Sequence, residues 1–94
     1  MTLDAFISSL SQAAPPGELN EPLQALWWDG KGNWEQAHTV AQDINTSTGS
    51  WIHAYLHRKE GDRSNAAYWY ARAGKNMPHN TLDEEWQEIV AALL

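Results

Sequence analysis

Apolar residues recur along this chain at spacings of three and four residues, the pattern of helices that bury one face. Nowhere do four or more residues alternate between polar positions and the β-branched or aromatic side chains of a strand. Glycine and proline divide the chain into pieces of helical length. The pattern therefore predicts an all-α protein of about six short helices, over residues 3–13, 21–30, 34–43, 49–60, 63–74 and 82–93.

Polar residues suited to helix capping precede four of these segments. Asn20, Asn33 and Asp62 can each accept hydrogen bonds from the free amides in the first turn of the helix that follows. Thr81, with Glu84 three residues later, has the form of a capping box. These residues predict where the second, third, fifth and sixth helices begin.

Two turns share one order of residue types: a glycine, then Asn or Asp, then an alanine five residues after the glycine. The residues are Gly32, Asn33 and Ala37 in the first turn and Gly61, Asp62 and Ala66 in the second. Glycine permits the left-handed conformation that ends a helix, and alanine lets two helices approach closely. We therefore predict one domain over residues 1–94, with helical hairpins at 20–44 and 49–75 between terminal helices at 3–13 and 82–93.

The second hairpin resembles the tetratricopeptide repeat. The matching positions are Gly61, Asp62, Ala66, Tyr70, Ala73 and Pro78, with the small residue Ala54 in the preceding helix. The first hairpin matches in part, at Ala25, Gly32, Asn33, Trp34 and Ala37. The resemblance implies two antiparallel helical hairpins. The chain is also similar to small bacterial proteins of uncharacterised function that share the segments HAYLHRKEGD and YWYARAG, a likeness that implies no activity.

The tetratricopeptide resemblance also implies a binding face, because ligands of that family lie along the first helix of each hairpin. By position, this face would comprise Leu26, Asp29, Trp51, Tyr55, Arg58 and Lys59. Aromatic and cationic side chains together suit an extended acidic or carboxylate-bearing peptide. We therefore predict a small non-enzymatic adaptor or scaffold module that binds a protein or peptide.

Two histidines carry the strongest chemical signal. His53 and His57 are four residues apart, on one face of a helix, and could bind one divalent metal ion. A third ligand would have to come from Glu60, His38 or His79. The alternative is that both histidines pack against the fifth helix and hydrogen-bond to backbone or tyrosine hydroxyl groups. We predict this structural role, with no catalytic residue, metal or cofactor; a metal-dependent or histidine-based enzyme centred on His53 and His57 is the alternative function.

Length and composition restrict the class of protein. The chain has 94 residues and no cysteine, which excludes disulfide frameworks, cysteine-ligated zinc and thiol nucleophiles. The N-terminal segment lacks the basic stretch of a signal peptide. The longest apolar run, 89–94, is far shorter than the roughly 20 residues of a membrane-spanning helix. We therefore predict a cytoplasmic protein without a membrane partner.

Charge is unevenly distributed. The formal net charge of −6 argues against nucleic acid as a partner, because phosphate attraction requires a basic face. Five of the six basic residues nevertheless lie within 58–75. Acidic ends and a basic centre could pair between copies, so a homo-oligomer is a further hypothesis. We expect Glu84, Glu85 and Glu88 on a solvated face of the last helix.

Six tryptophans are unusual in so short a chain. They can fill the wedges between crossing helices or form a surface for a partner. Adjacent residues of a helix point about 100° apart, so Trp27 and Trp28 cannot both be fully buried. The same argument applies to the run Tyr68, Trp69 and Tyr70.

Overall fold

The chain folds into six α-helices and no strand. The computed structural model describes residues 1–94. The helices are α1 (Leu3–Ser9), α2 (Glu21–Gly30), α3 (Trp34–Gln42), α4 (Ser47–Lys59), α5 (Arg63–Ala73) and α6 (Leu82–Leu93). The prediction of an all-α fold of about six short helices is confirmed. None of the six combines the length and apolar character needed to cross a bilayer.

The predicted caps begin their helices. The side chains of Asn20, Asn33 and Asp62 accept from the amides of α2, α3 and α5 respectively. Thr81 and Glu84 form both hydrogen bonds of a capping box at the start of α6. A further cap, Thr46, accepts from the Gly49 amide at 3.1 Å, so α4 begins at Ser47, two residues before its predicted start.

Helix α1 is shorter than predicted, ending at Ser9 rather than near residue 13. The Ser9 hydroxyl donates to the Phe6 carbonyl at 2.6 Å and accepts from Trp27 Nε1 at 3.1 Å. Beyond Ser9 the backbone continues in tighter turns, and Lys31 Nζ donates to the carbonyls of Leu10 and Gln12 at 2.7 and 2.8 Å. These carbonyls therefore bond to a neighbouring element instead of extending the helix.

The two glycine turns have the same backbone geometry. Gly32 and Gly61 adopt φ values of 81° and 87°, in the left-handed region. The amide after each glycine reaches back to a helix carbonyl at 2.9 Å, from Asn33 to Trp28 and from Asp62 to His57. This bond closes the end of α2 and of α4. The alanines of the pattern, Ala37 and Ala66, are fully buried.

Helix α4 lies at the centre of the molecule. It contacts α2, α3, α5 and α6, and every residue from Gly49 to His57 is buried. Its contact with α5 is the most extensive between any two helices. On α3, Trp34 lies beside His57 and His38 beside His53, so α3 and α4 run antiparallel. The side chains of α4 therefore form a large part of the protein interior.

The terminal helices close the core over α2 and α4. Trp86 of α6 donates from Nε1 to the Leu26 carbonyl at 3.0 Å, and its ring packs on Phe6 of α1 with centroids 5.7 Å apart. The adjacent tryptophans divide as predicted, because Trp27 is fully buried and Trp28 is only partly so. Helix α6 therefore covers the face predicted to bind a ligand.

Candidate functional site

The structure brings the six residues of the predicted binding face together, but mostly beneath α6. Leu26 is fully buried, and Asp29, Trp51 and Tyr55 are less than a tenth exposed. Arg58 is half-buried, and only Lys59 counts among the exposed residues. The polar groups on this face bond to two carboxylates of the chain itself.

Glu85 of α6 is the first of these carboxylates. It is 2% exposed, although the sequence pattern predicts a solvated glutamate; that prediction is wrong. Trp51 Nε1 donates to it at 3.2 Å, Arg58 at 2.8 Å and the Tyr70 hydroxyl at 2.7 Å. Arg58 also bonds to the backbone carbonyl of Asn80. Burial raises the pKa of Tyr70, and the hydrogen bond and charge of Glu85 raise it further, so the phenol remains a donor.

A signal for the burial of Glu85 is present in the sequence. Glu85 follows Leu82 by three residues and precedes Ile89 by four, so all three lie on one face of α6. Asp83 and Glu84 beside it suggest a solvated surface and mask this spacing. The position on the apolar face, and not the local charge, determines where the side chain lies.

Asp29 of α2 is the second buried carboxylate, at 3% exposure. The Tyr55 hydroxyl donates to Oδ2 at 3.0 Å and Lys59 Nζ donates to Oδ1 at 2.9 Å. Burial raises the pKa of Tyr55, and the charge of Asp29 adds to the effect. Asp29 thus joins α2 to two turns of α4.

A cleft of about 290 Å³ opens beside Asp29, between α1, α2, α4 and α6. It contains three residues of the predicted face together with apolar and polar side chains from the other helices. The lining is Asp29, Tyr55 and Lys59, apolar Ile7, Leu10 and Trp86, and Gly30, Asp83 and Gln87. The lining has one cation, Lys59, which pairs with Asp29, and a second carboxylate, Asp83.

A separate cluster joins three histidines from two helices. His38 of α3 lies beside His53 and His57 of α4, and the three offer ligand nitrogens within 4.8 Å of one another. The Nε2 atoms of His38 and His53 are 2.9 Å apart. Of the third ligands considered from the sequence, His38 joins the pair, Glu60 contacts His57, and His79 lies outside this cluster.

Indole rings enclose the histidine cluster. Trp34 stacks on His38 with centroids 4.9 Å apart and an interplanar angle of 14°, and Trp69 stacks on His53 at 4.1 Å and 21°. His57 Nδ1 lies 2.6 Å from Glu60 Oε1. The expected hydrogen bonds to backbone or tyrosine hydroxyl groups are therefore wrong: the bonds of these rings run to another imidazole and to a carboxylate.

The environment of the cluster favours neutral imidazoles. Burial lowers the pKa of His53 to about 4, and the neighbouring His38 and His57 add to this shift. Burial also lowers the pKa of His38, with a further contribution from His57. At neutral pH both rings are uncharged, so in the His38–His53 contact one Nε2 donates its proton to the lone pair of the other.

No protein-family model matches this chain, and no curated protein or solved structure is detectably similar to it. The tetratricopeptide resemblance therefore stays a prediction.

Proposed function

We propose that this protein is a small non-enzymatic binding module that holds a segment of a protein or peptide partner in the cleft beside Asp29. The observation that carries the proposal is the convergence of Asp29, Tyr55 and Lys59 on one open cavity of about 290 Å³. These three residues belong to the binding face that the tetratricopeptide resemblance predicts. The remainder of that face lies under α6, where Trp51 and Arg58 bond to Glu85.

The lining of the cleft indicates which side chains it would accept. Ile7, Leu10 and Trp86 offer apolar surface, and because Asp29 and Lys59 pair with each other, the remaining charge of the lining is the carboxylate of Asp83. The sequence-based expectation of an acidic partner depends on free cations, but Arg58 and Lys59 are each paired with a buried carboxylate. We therefore favour a segment in which an apolar side chain lies next to a lysine or arginine.

The helical pairing supports a tetratricopeptide-like arrangement. Helices α2 and α3 pack together across the Gly32 turn, and α4 and α5 pack together across the Gly61 turn. Helix α6 lies against α2 and α4, the first helices of the two hairpins. In this proposal α6 occupies most of the ligand face and leaves one end of it open.

Selection from a library of random short peptides tests the proposal. The immobilised full-length protein selects binders, whose affinities are then measured by fluorescence anisotropy. We expect enriched peptides to carry an apolar residue beside a lysine or arginine. Gln87→Trp introduces a large ring into the cleft and should weaken their binding by about tenfold or more.

The matched control is Gln36→Trp, which makes the same replacement at an exposed position of α3 away from the cleft. It should leave the affinities unchanged. Asp83→Asn should weaken the binding of basic peptides by a smaller factor and should reduce the salt dependence of that binding. Recovery of no peptide, or equal losses for the two tryptophan variants, would contradict the cleft as the binding site.

A further inference from the structure

Three of the four histidines in this chain converge on one point of the interior, and the cleft proposed above includes none of them. We propose that His38, His53 and His57 form a binding site for a single divalent transition-metal ion, zinc foremost. Imidazole nitrogen is a preferred ligand of zinc, copper and nickel. The inference does not depend on the proposed peptide site.

The spacing of the nitrogens fits one ion after small side-chain movements. Tetrahedral coordination at about 2.0–2.1 Å separates two ligand nitrogens by about 3.4 Å. The His38–His53 pair, at 2.9 Å, has to open by about half an ångström, and the donor ring has to shift its proton from Nε2 to Nδ1 so that both Nε2 atoms offer a lone pair to the metal. Separations of up to 4.8 Å have to close by about 1.4 Å at most. Side-chain rotations within the stacked arrangement have to supply these shifts.

The packing of α3 on α4 holds the three histidines close together without a metal. His53 and His57 are one turn apart on α4, and the antiparallel packing of α3 brings His38 against His53. Stacking on Trp34 and Trp69 restricts the rings of His38 and His53. Fixed ligands lose less conformational entropy on binding, which favours affinity.

Glu60 supplies the outer-shell contact typical of a metal-bound histidine. His57 Nδ1 donates to Glu60 Oε1 at 2.6 Å, which leaves His57 Nε2 with the lone pair that a metal requires. Asp62 lies within 4.8 Å of the same pair, so two carboxylates offset the charge of a cation.

The three nitrogens leave one coordination position of a tetrahedral ion for water or another ligand. His53 and His57 are buried, whereas His38 retains partial exposure, so an ion would enter past His38. Three protein ligands with an open fourth position are typical of reactive zinc sites and not of closed structural ones.

Titration of the tag-free full-length protein with zinc, in competition with a chromophoric chelator, tests the site. We expect saturable binding of one ion per chain. His38→Gln and His57→Gln should each weaken zinc binding by at least about tenfold, and Glu60→Gln, which keeps all three ligands, by about 10- to 100-fold. The matched control is His79→Gln, which removes the fourth histidine and should leave the affinity unchanged.

Circular dichroism establishes whether each variant folds. Where a histidine variant fails to fold, two measurements on the wild-type protein replace it. Zinc should shift the ring NMR signals of three histidines and leave those of His79 unchanged. Cobalt should produce the visible absorption of a tetrahedral complex. No saturable zinc binding, or zinc affinity that is equal in all the histidine variants, would overturn the proposal. Shifts confined to His79 would do so as well.

Discussion

Asp29 and Glu85 are the residues on which the buried polar groups of the ligand face converge. Each accepts one or more hydrogen bonds from a tyrosine hydroxyl and one from a cationic side chain, and Glu85 also accepts one from an indole N–H group. A buried carboxylate without donors would be strongly destabilising, and donors without their acceptor would be left unpaired. The two carboxylates therefore fix which residues of the face remain available to a partner.

Glu85→Gln should destabilise the protein by about 2–3 kcal/mol, because the charge that pairs with half-buried Arg58 is lost while the side chain keeps its size. Urea denaturation followed by circular dichroism measures the change. The matched control is Glu88→Gln on the exposed face of the same helix, which should change the free energy of unfolding by less than about 0.5 kcal/mol. Equal effects would contradict the assignment of Glu85 as a buried acceptor.

The histidine cluster combines a pair that the sequence predicts with a third residue that the packing of two helices supplies. The four-residue spacing of His53 and His57 is visible in the sequence, and so is the possibility that His38 supplies a third ligand. The choice of His38 over His79 follows only from the packing of α3 on α4. No local pattern specifies that packing, because it depends on the path of the chain between residues 43 and 46.

At the scale of the helices, the glycine and alanine pattern accounts for the two turns. Positive φ at Gly32 and Gly61 reverses the chain, and the small side chains of Ala37 and Ala66 allow the paired helices to approach. Helix ends that have a strong side-chain cap are predicted well. The end of α1 is not, because the contacts of Ser9 and Leu10 that replace helical bonds come from α2 and from Lys31.

Ala66→Leu should force α5 away from α4 and lower the stability by about 1–3 kcal/mol, since the alanine side chain is fully buried. Ala67→Leu is the matched control, because the next residue on the same helix is exposed. Thermal unfolding should show a lower midpoint for the first variant and little change for the second. A neutral Ala66→Leu would mean that the two helices do not meet at this alanine.

At the scale of the whole molecule, α6 is the element that completes the core. It brings Glu85 and Trp86 onto the face made by α2 and α4, and α1 packs against Trp86 through Phe6. The same closure pairs Arg58 with Glu85, while Lys59 pairs with Asp29 of α2. Two cations of the basic segment are therefore neutralised within one chain.

This internal pairing bears on the hypothesis of a homo-oligomer held by opposite charges. With Arg58 and Lys59 already paired and a net charge of −6, we expect copies of the chain to repel one another. Light scattering should give the mass of a monomer at both low and high salt. A dimer that forms at low salt and dissociates at high salt would contradict this expectation and support charge-driven assembly.

The sequence by itself determined the helical class, the two glycine turns, most helix boundaries and the division of the Trp27–Trp28 pair. These properties follow from the conformational preferences of single residues and from the 3.6-residue period, both of which act over a few positions. Only the tertiary structure decided that α6 covers the ligand face, that Glu85 is buried and that His38 completes the histidine cluster. Such features join residues from different helices, and the free energy that fixes them comes from packing and desolvation across the whole core.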